Sequence, residues 1–341
     1  MRSELSGFSR RRLLTGLAAA PALTMTAVSA DAQPACIESV AERVQQELRD
    51  AKGTKLVLLG TGGGPGPIGP ERKRIRRMTA HVMLSNGVAY VLDCGLGVTN
   101  QFGRTGISFN KIRSIFITHH HPDHNIEYGP LLVLGWIGGM PLSVRAFGPP
   151  PLKQMTADFL SFARQTIAFW AEDFKMNPLE TVEVGEVSVA GPVTEDENVK
   201  VTAAVVEHPP VKPALAYRFD FRDRSVAFSG DTAPLDVVAQ LAKNADVLVH
   251  EAMYVPAVEA FVRERIAKGF PVKFEPFMAH MKADHSAVED VGRIAQEAGV
   301  KTLVLSHLSP AVENITDEMW RAPAAKYFQG EIVVAHDLTV V

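Results

Sequence analysis

Four histidines and an aspartate fall within six positions in Thr118-His119-His120-His121-Pro122-Asp123-His124. The pattern H-x-H-x-D-H offers imidazole and carboxylate donors, the ligand types that suit a divalent ion such as zinc. It directly follows an apolar run, 112–118, that reads as a buried strand. Alternating residues at a strand end can converge on one ion, as His119 and His121 would. A tight turn at Pro122 would then aim Asp123 and His124 at a second. His120 falls on the other side of the strand and reads as polar filling. So short a segment cannot complete two sites, and further donors stand at other predicted strand ends. His208 follows the run 200–206, Asp231 follows 225–229 in Ser229-Gly230-Asp231-Thr232, and His307 follows 301–305. Each sits where a rigid sheet hands over to a variable loop.

A further histidine suits proton transfer. Ser286-Ala287-Val288-Glu289 has the form of a capping box and predicts a helix starting just after His285. Val288, Val291, Ile294 and Ala295 would form its apolar face, and Gly299 would end it. His285 would then be fixed at a helix N-terminus, a place that attracts anions but disfavours a protonated imidazole. A bound anionic substrate would have to offset that conflict. A leaving oxygen needs a proton, and His285 is the best candidate to supply it.

The elements that must position these residues are legible in outline. A helix is predicted over 37–50, and a strand over 55–59 that runs into a glycine-proline loop, 60–70. Asn86-Gly87 between the runs 81–84 and 88–93 predicts a hairpin. Helices are expected within 149–178, strands at 181–184, 186–190, 200–206, 214–219 and 225–229, and a helix at 234–243. A strand at 247–249, a helix at 255–268 and strands at 301–305 and 331–335 follow. The alternation argues for sheets covered by helices, an α/β fold. There is no repeat and no evident linker. The simplest organisation is an N-terminal segment over 1–32, a helix or linker over 33–52, and one domain over 53–341 with a helical insertion around 149–178. Gly64-Pro65-Gly66-Pro67-Ile68-Gly69 matches G-x-G-x-x-G, but a dinucleotide loop must lead into a helix, and here two prolines interrupt it and basic residues follow, so that reading is rejected. The run Arg72-Lys73-Arg74-Ile75-Arg76-Arg77 reads as a solvated surface run, with an anionic-substrate rim as the other reading.

Composition bounds the rest. Hydrophobic residues make up 46% and charged residues 21% of the 341, ordinary for a core-forming protein. Arg10, Arg11 and Arg12, the apolar run 13–28, and small residues at Ala30 and Ala32 form a secretory signal pattern of twin-arginine type, which predicts export to the periplasm or beyond, with no stable membrane anchor. Its removal takes away four arginines and two acids and leaves a net charge of −5, which disfavours nucleic acid as a partner. Cys36 and Cys94 read as two free thiols, with Cys94 buried.

These residues, taken in order, resemble the metallo-β-lactamase superfamily, specifically its ribonuclease Z-like branch. The matching pieces are Leu59-Gly60-Thr61-Gly62, Leu92-Asp93-Cys94-Gly95, the Ile117-Thr118 lead into the histidine cluster, and Glu207-His208 with Ala216-Tyr217-Arg218. Ser229-Gly230-Asp231-Thr232, Val249-His250-Glu251-Ala252, Asp284-His285-Ser286 and Leu305-Ser306-His307 complete the set. The resemblance implies an αββα sandwich with the site at one edge and two divalent metal ions, zinc by preference. One ion would sit on His119, His121 and His208, the second on Asp123, His124 and His307, with Asp231 bridging. It also implies that Glu251 orients His285, that His250 stands behind the ligands, and that Asp93 orients a ligand histidine. The expected catalysis is attack by a metal-bridged hydroxide, with Asp123 orienting it or taking its proton. His81 and His280 have no assigned role.

The same resemblance does not make the chain a tRNA-processing enzyme. The family's tRNA-gripping arm is glycine- and proline-rich, whereas 148–178 here is an aromatic helical segment, read as a pocket wall, a lid or a contact in a homodimer. The expected substrate is a small anionic ester, a phosphodiester or a sulfate ester. Lactone or carboxyl-ester hydrolysis and a non-catalytic metal- or ligand-binding role are the alternatives.

Overall fold

The structure, a computed structural model, describes residues 32–49, 52–64, 76–312 and 314–341. Nearly all of the N-terminal segment read as an export signal and most of the basic run at 72–77 lie outside those residues, as does the side chain of Cys36. Cys94 is a buried free thiol.

The chain opens with α1 (Ala32–Arg49), β1 (Lys55–Gly60), the hairpin β2 (Ala80–Ser85) and β3 (Val88–Leu92), and α2 (Val98–Arg104). Next come β4 (Ile112–Phe116), α3 (Pro122–Asn125), α4 (Tyr128–Ile137), β5 (Arg145–Gly148) and α5 (Leu152–Phe174). Five strands follow: β6 (Glu183–Glu186), β7 (Gly191–Glu195), β8 (Val199–His208), β9 (Val211–Phe221) and β10 (Ser225–Phe228). Then come α6 (Asp236–Leu241), β11 (Val247–Met253), α7 (Val255–Ala267), α8 (Phe274–Asp284) and α9 (Val288–Ala298). β12 (Thr302–Ser309), α10 (Asp317–Ala325), β13 (Glu331–Val334) and β14 (Thr339–Val340) complete the order.

Two seven-stranded mixed sheets form, in the orders β14-β1-β2-β3-β4-β5-β6 and β13-β12-β11-β10-β9-β8-β7. Their facing surfaces share a core in which Leu56, Leu58, Tyr90 and Phe116 meet Val201, Tyr217, Phe219 and Val249. The opposite faces of the same strands are also apolar. Val57, Leu59 and Ile115 pack under Phe102, Leu131 and Leu160 of α2, α4 and α5. On the other sheet, Ala227, Leu248 and Leu303 pack under Val238, Val291 and Trp320 of α6, α9 and α10. Strands covered on both faces must be apolar throughout, which is why KLVLL at 55–59 does not alternate. Each large side chain buried this way contributes roughly 1.5–3 kcal/mol. The result is the expected αββα sandwich.

The hairpin stands at Asn86-Gly87, whose φ values of 50° and 76° suit the primed turn that Asn-Gly favours. Three expectations are corrected. The strand expected at 186–190 lies at β7, an edge strand where Gly191 and Pro192 are tolerated and apolar alternation is a poor guide. The 148–178 segment is a crossover helix, α5, joining parallel β5 to β6. Parallel pairing requires such a connection, so its buried face belongs to the core and not to a lid. Arg76 is not solvated: it is buried, donates to Thr61 Oγ1 at 3.0 Å and also reaches the carbonyl of Ala335.

Candidate metal centre

The predicted donors come together at the strand ends of both sheets. His119, His121, His208 and Asp231 form one group and Asp123, His124, Asp231 and His307 a second, with the donor atoms of each group within 4.8 Å of one another. Asp231 is common to both. Within the first, His119 Nε2 and His208 Nε2 lie 3.1 and 3.0 Å from His121 Nδ1, and each is 3.9 Å from Asp231 Oδ2. In the second, His124 Nε2 is 3.3 Å from Asp231 Oδ1, and His307 Nε2 is 3.1 Å from Asp231 Oδ2 and 3.3 Å from Asp123 Oδ2. A tetrahedral ion with metal–nitrogen bonds of roughly 2.0–2.1 Å holds its donors about 3.3 Å apart, so both groups have the spacing of a coordination shell. His124 Nε2 and Asp231 Oδ1 are buried without a hydrogen-bond partner among the described residues. Divalent ions would satisfy both atoms, and the donor set fits them.

Local backbone geometry aims each donor. His119 and His121 leave β4 alternately, and Pro122 opens the short α3 that carries Asp123 and His124. His208 is the last residue of β8. Gly230, at φ 60°, turns the chain so that Asp231 faces inward; a Cβ there would stand 2.5 Å from the carbonyl of Leu215. His307 corrects the expectation of a strand-end residue. Across β11 and β12, Glu251 pairs with Ser306 and Ala252 with Leu308, so His307 is the extra residue of a bulge, at φ 43°. Bulges near active sites re-aim a side chain in this way.

The distal nitrogens of the imidazoles are held from behind. His119 Nδ1 meets Thr118 Oγ1 at 3.1 Å, His124 Nδ1 meets Asp93 Oδ2 at 2.8 Å, and His208 Nδ1 meets the Asp284 carbonyl at 2.8 Å. Such contacts fix tautomer and ring orientation. Asp93 therefore has the orienting place expected of it, and Thr118, which sequence reasoning passed over, accompanies it. Burial pushes His119 well down and His208 to about 4, leaving both imidazoles neutral, the ligating form. Burial opposes charge on Asp231, but His307 and His124 outweigh it and hold the carboxyl well below its ordinary range.

His285 lies beside this centre, its Nδ1 2.9 Å from Glu251 Oε2 and 4.0 Å from Asp231 Oδ2. The other oxygen of Glu251 accepts from the Thr232 amide at 2.8 Å. Burial disfavours the imidazolium, yet the Glu251 carboxylate overcomes it and raises His285 to about 9. The capping-box reading is corrected. The helix starts at Val288 with Ala287 as its cap, and Ser286 Oγ donates to the Thr232 carbonyl. His285 instead caps the C-terminus of α8, its amide donating to the Met281 carbonyl. A helix C-terminus favours a cation, so the anticipated conflict disappears.

Of the remaining histidines, His120 turns away, with Nε2 2.8 Å from the Pro149 carbonyl. His250 is buried behind the site, its Nδ1 2.7 Å from the Glu251 carbonyl. His280 pairs with Asp284 at 2.5 Å on α8. His81 is buried beneath the centre, stacked on Phe228 and driven to about 3 by burial, with His124 and His307 adding to the shift.

The sequence matches the beta-lactamase superfamily domain over residues 89–308. It is 31% identical over 288 residues to ribonuclease Z of Mycobacterium bovis (strain BCG / Pasteur 1173P2), covering 83% of this chain and 96% of that protein. Ribonuclease Z of Mycobacterium sp. (strain KMS) is 32% identical over 289 residues, covering 83% and 94%. Among solved structures, the metallo-beta-lactamase fold protein YhfI from Bacillus subtilis superposes with a TM-score of 0.60 at 21% identity, covering 85% of this chain and 99% of that one. The short form of human tRNase Z superposes at 0.56 and 21%, covering 84% and 98%. With its donors, bulge and sandwich arranged as described, the chain belongs to the metallo-β-lactamase superfamily, as a hydrolase with curated relatives named ribonuclease Z.

Proposed function

We propose that this protein is an exported hydrolase of small phosphodiesters or sulfate esters, working with two divalent ions, zinc by preference. One observation carries the reading: two donor groups share Asp231 and stand beside a protonatable His285 held by Glu251 at 2.9 Å. Bound in those groups, divalent cations supply Lewis acidity and a nucleophile at neutral pH. The side chains do the rest. Asp123, fixed by the Gly64 amide at 2.8 Å, orients the attacking water. His285 gives a proton to the leaving oxygen, and Glu251 keeps it charged and aimed. The helical pair α7 and α8, with a small core of its own around Val258, Val262 and Met278, forms a substrate wall that ends at His285.

The substrate size rests on the net charge of −5 for residues 33–341, which suits a compact anion better than a long polyanion. Precursor-tRNA processing is the second reading, favoured by relatives named ribonuclease Z that match 83% of the chain. Metal-quantified protein run on an aryl phosphodiester, an aryl sulfate, a lactone, a phosphotriester and a precursor tRNA separates these readings. Turnover of the first or second is expected; turnover confined to the lactone or to the tRNA overturns the substrate assignment.

A further inference from the structure

Among the buried imidazoles of the two donor groups, His307 alone lacks a partner for its distal nitrogen within the described residues. His119, His124 and His208 each find an oxygen there, whereas His307 Nδ1 is buried and unpartnered. The nearest carboxylate oxygen recorded for it, Glu251 Oε2, stands 3.8 Å away, too far for a hydrogen bond. A polar contact at that separation is commonly bridged by water.

The space to do so lies directly below. A cavity of about 20 Å³ is lined by His81, Glu251, Ser306 and His307 together with Leu92 and Phe228, and it adjoins the metal centre at His124 and Asp231. Roughly 10–15 Å³ holds one water, provided two to four polar partners surround it. Besides His307 Nδ1, four unpartnered buried polar atoms belong to residues lining this cavity. His124 Nε2 and Asp231 Oδ1 are those the divalent ions would satisfy, which leaves His81 Nδ1 and Ser306 Oγ, on residues only 4% and 1% exposed. Neither has any other task in the centre.

We propose that one buried water, anchored by His81 and Ser306, bridges Glu251 Oε2 to His307 Nδ1. The donor and acceptor inventory closes. His307 presents Nε2 to the metal side and so carries its proton on Nδ1, which donates to the water. The water donates to Glu251 and to His81 Nδ1, and the Ser306 hydroxyl donates to the water. His81 and Ser306 are thereby positioning residues: through the water they fix the tautomer of His307 and tie the second donor group to the His285–Glu251 couple. The inference rests on the two-metal reading.

The test is zinc titration of the metal-free full chain against a chromophoric chelator, comparing wild type with Ser306→Ala and His81→Phe. Phenylalanine retains the stack on Phe228. Ser114→Ala is the control, because Ser114 Oγ is equally buried and unpartnered but lies on β4 away from the cavity. Losing a contact that orients a ligand histidine weakens metal binding by roughly 10–100-fold. One of the two zinc equivalents should therefore weaken at least tenfold in Ser306→Ala and His81→Phe and in neither case in the control. A structure of the zinc-loaded protein should show the ordered water within hydrogen-bond distance of His307 Nδ1 and Glu251 Oε2. Affinities in Ser306→Ala that match Ser114→Ala, or a dry cavity in that structure, overturn the proposal, even if His81→Phe fails to fold. Wild type that takes up fewer than two equivalents instead overturns the two-metal reading itself.

Discussion

Replacing Glu251 by glutamine isolates the proton-donor step. The exchange keeps size and hydrogen-bonding atoms but removes the charge that faces His285 at 2.9 Å, where the two side chains are 1% and 13% exposed. The carboxylate raises His285 to about 9 against the opposing effect of burial. Without it the imidazole returns to its ordinary value of roughly 6.5 or below, and at about 1.4 kcal/mol per pH unit the couple contributes roughly 3 kcal/mol to the protonated form. At pH 8 the protonated fraction falls by about thirtyfold. The assay is kcat/KM against pH for two substrates of one class, one releasing p-nitrophenol and one a poorly acidic alcohol. A p-nitrophenolate leaves without help, so Glu251→Gln should barely change that substrate. The alcohol substrate should lose about tenfold or more, increasingly so as pH rises. Equal losses for both leaving groups, with an unmoved pH profile, would refute His285 as the acid and leave Glu251 a structural role.

Other outcomes follow from the same geometry. Asp231→Ala should lose occupancy in both donor groups when metals are counted by mass spectrometry of the native protein, whereas His285→Ala should keep both and lose most turnover. Asp93→Ala removes the carboxylate that holds the distal nitrogen of His124, leaving it only Thr118 Oγ1 at 3.3 Å, and should weaken one metal equivalent about 10–100-fold. In the metal-free protein the raised His285 stabilises the fold fully below the ordinary pKa of about 6.5, and that contribution disappears as pH rises through about 9. Denaturant unfolding should therefore show wild type losing more stability than Glu251→Gln between those limits. Arg76→Ala leaves the Ala335 carbonyl without its buried donor and should lower stability by roughly 1–3 kcal/mol without changing metal content.

Much of the centre was legible because its residue types are rare in combination and sit at strand ends. Periodicity located the strands that carry His119, His208 and Asp231, and strands apolar on both faces gave long unbroken runs. What failed depended on partners that the neighbouring sequence does not reveal. His307 is placed by a bulge, a pairing detail between β11 and β12 that periodicity along one strand does not reveal. The Ser286-x-x-Glu289 pattern satisfies the capping formula, yet the Ser286 hydroxyl is taken by Thr232, a partner 54 residues away in sequence. α8 was missed because its apolar residues serve only a small satellite core with α7 and no regular stripe marks them. Arg76 looked like part of a surface run because sequence neighbours share charge, while its burial depends on the remote Ala335 strand end. Long-range contacts decide all four cases.

Every catalytic role proposed above depends on a pair of divalent cations sharing Asp231. Anomalous diffraction at the zinc edge from metal-loaded crystals tests for that pair most directly. Two peaks are expected, one enclosed by His119, His121 and His208 and the other by Asp123, His124 and His307, with Asp231 contacting both. A single peak, or peaks away from those side chains, would contradict it.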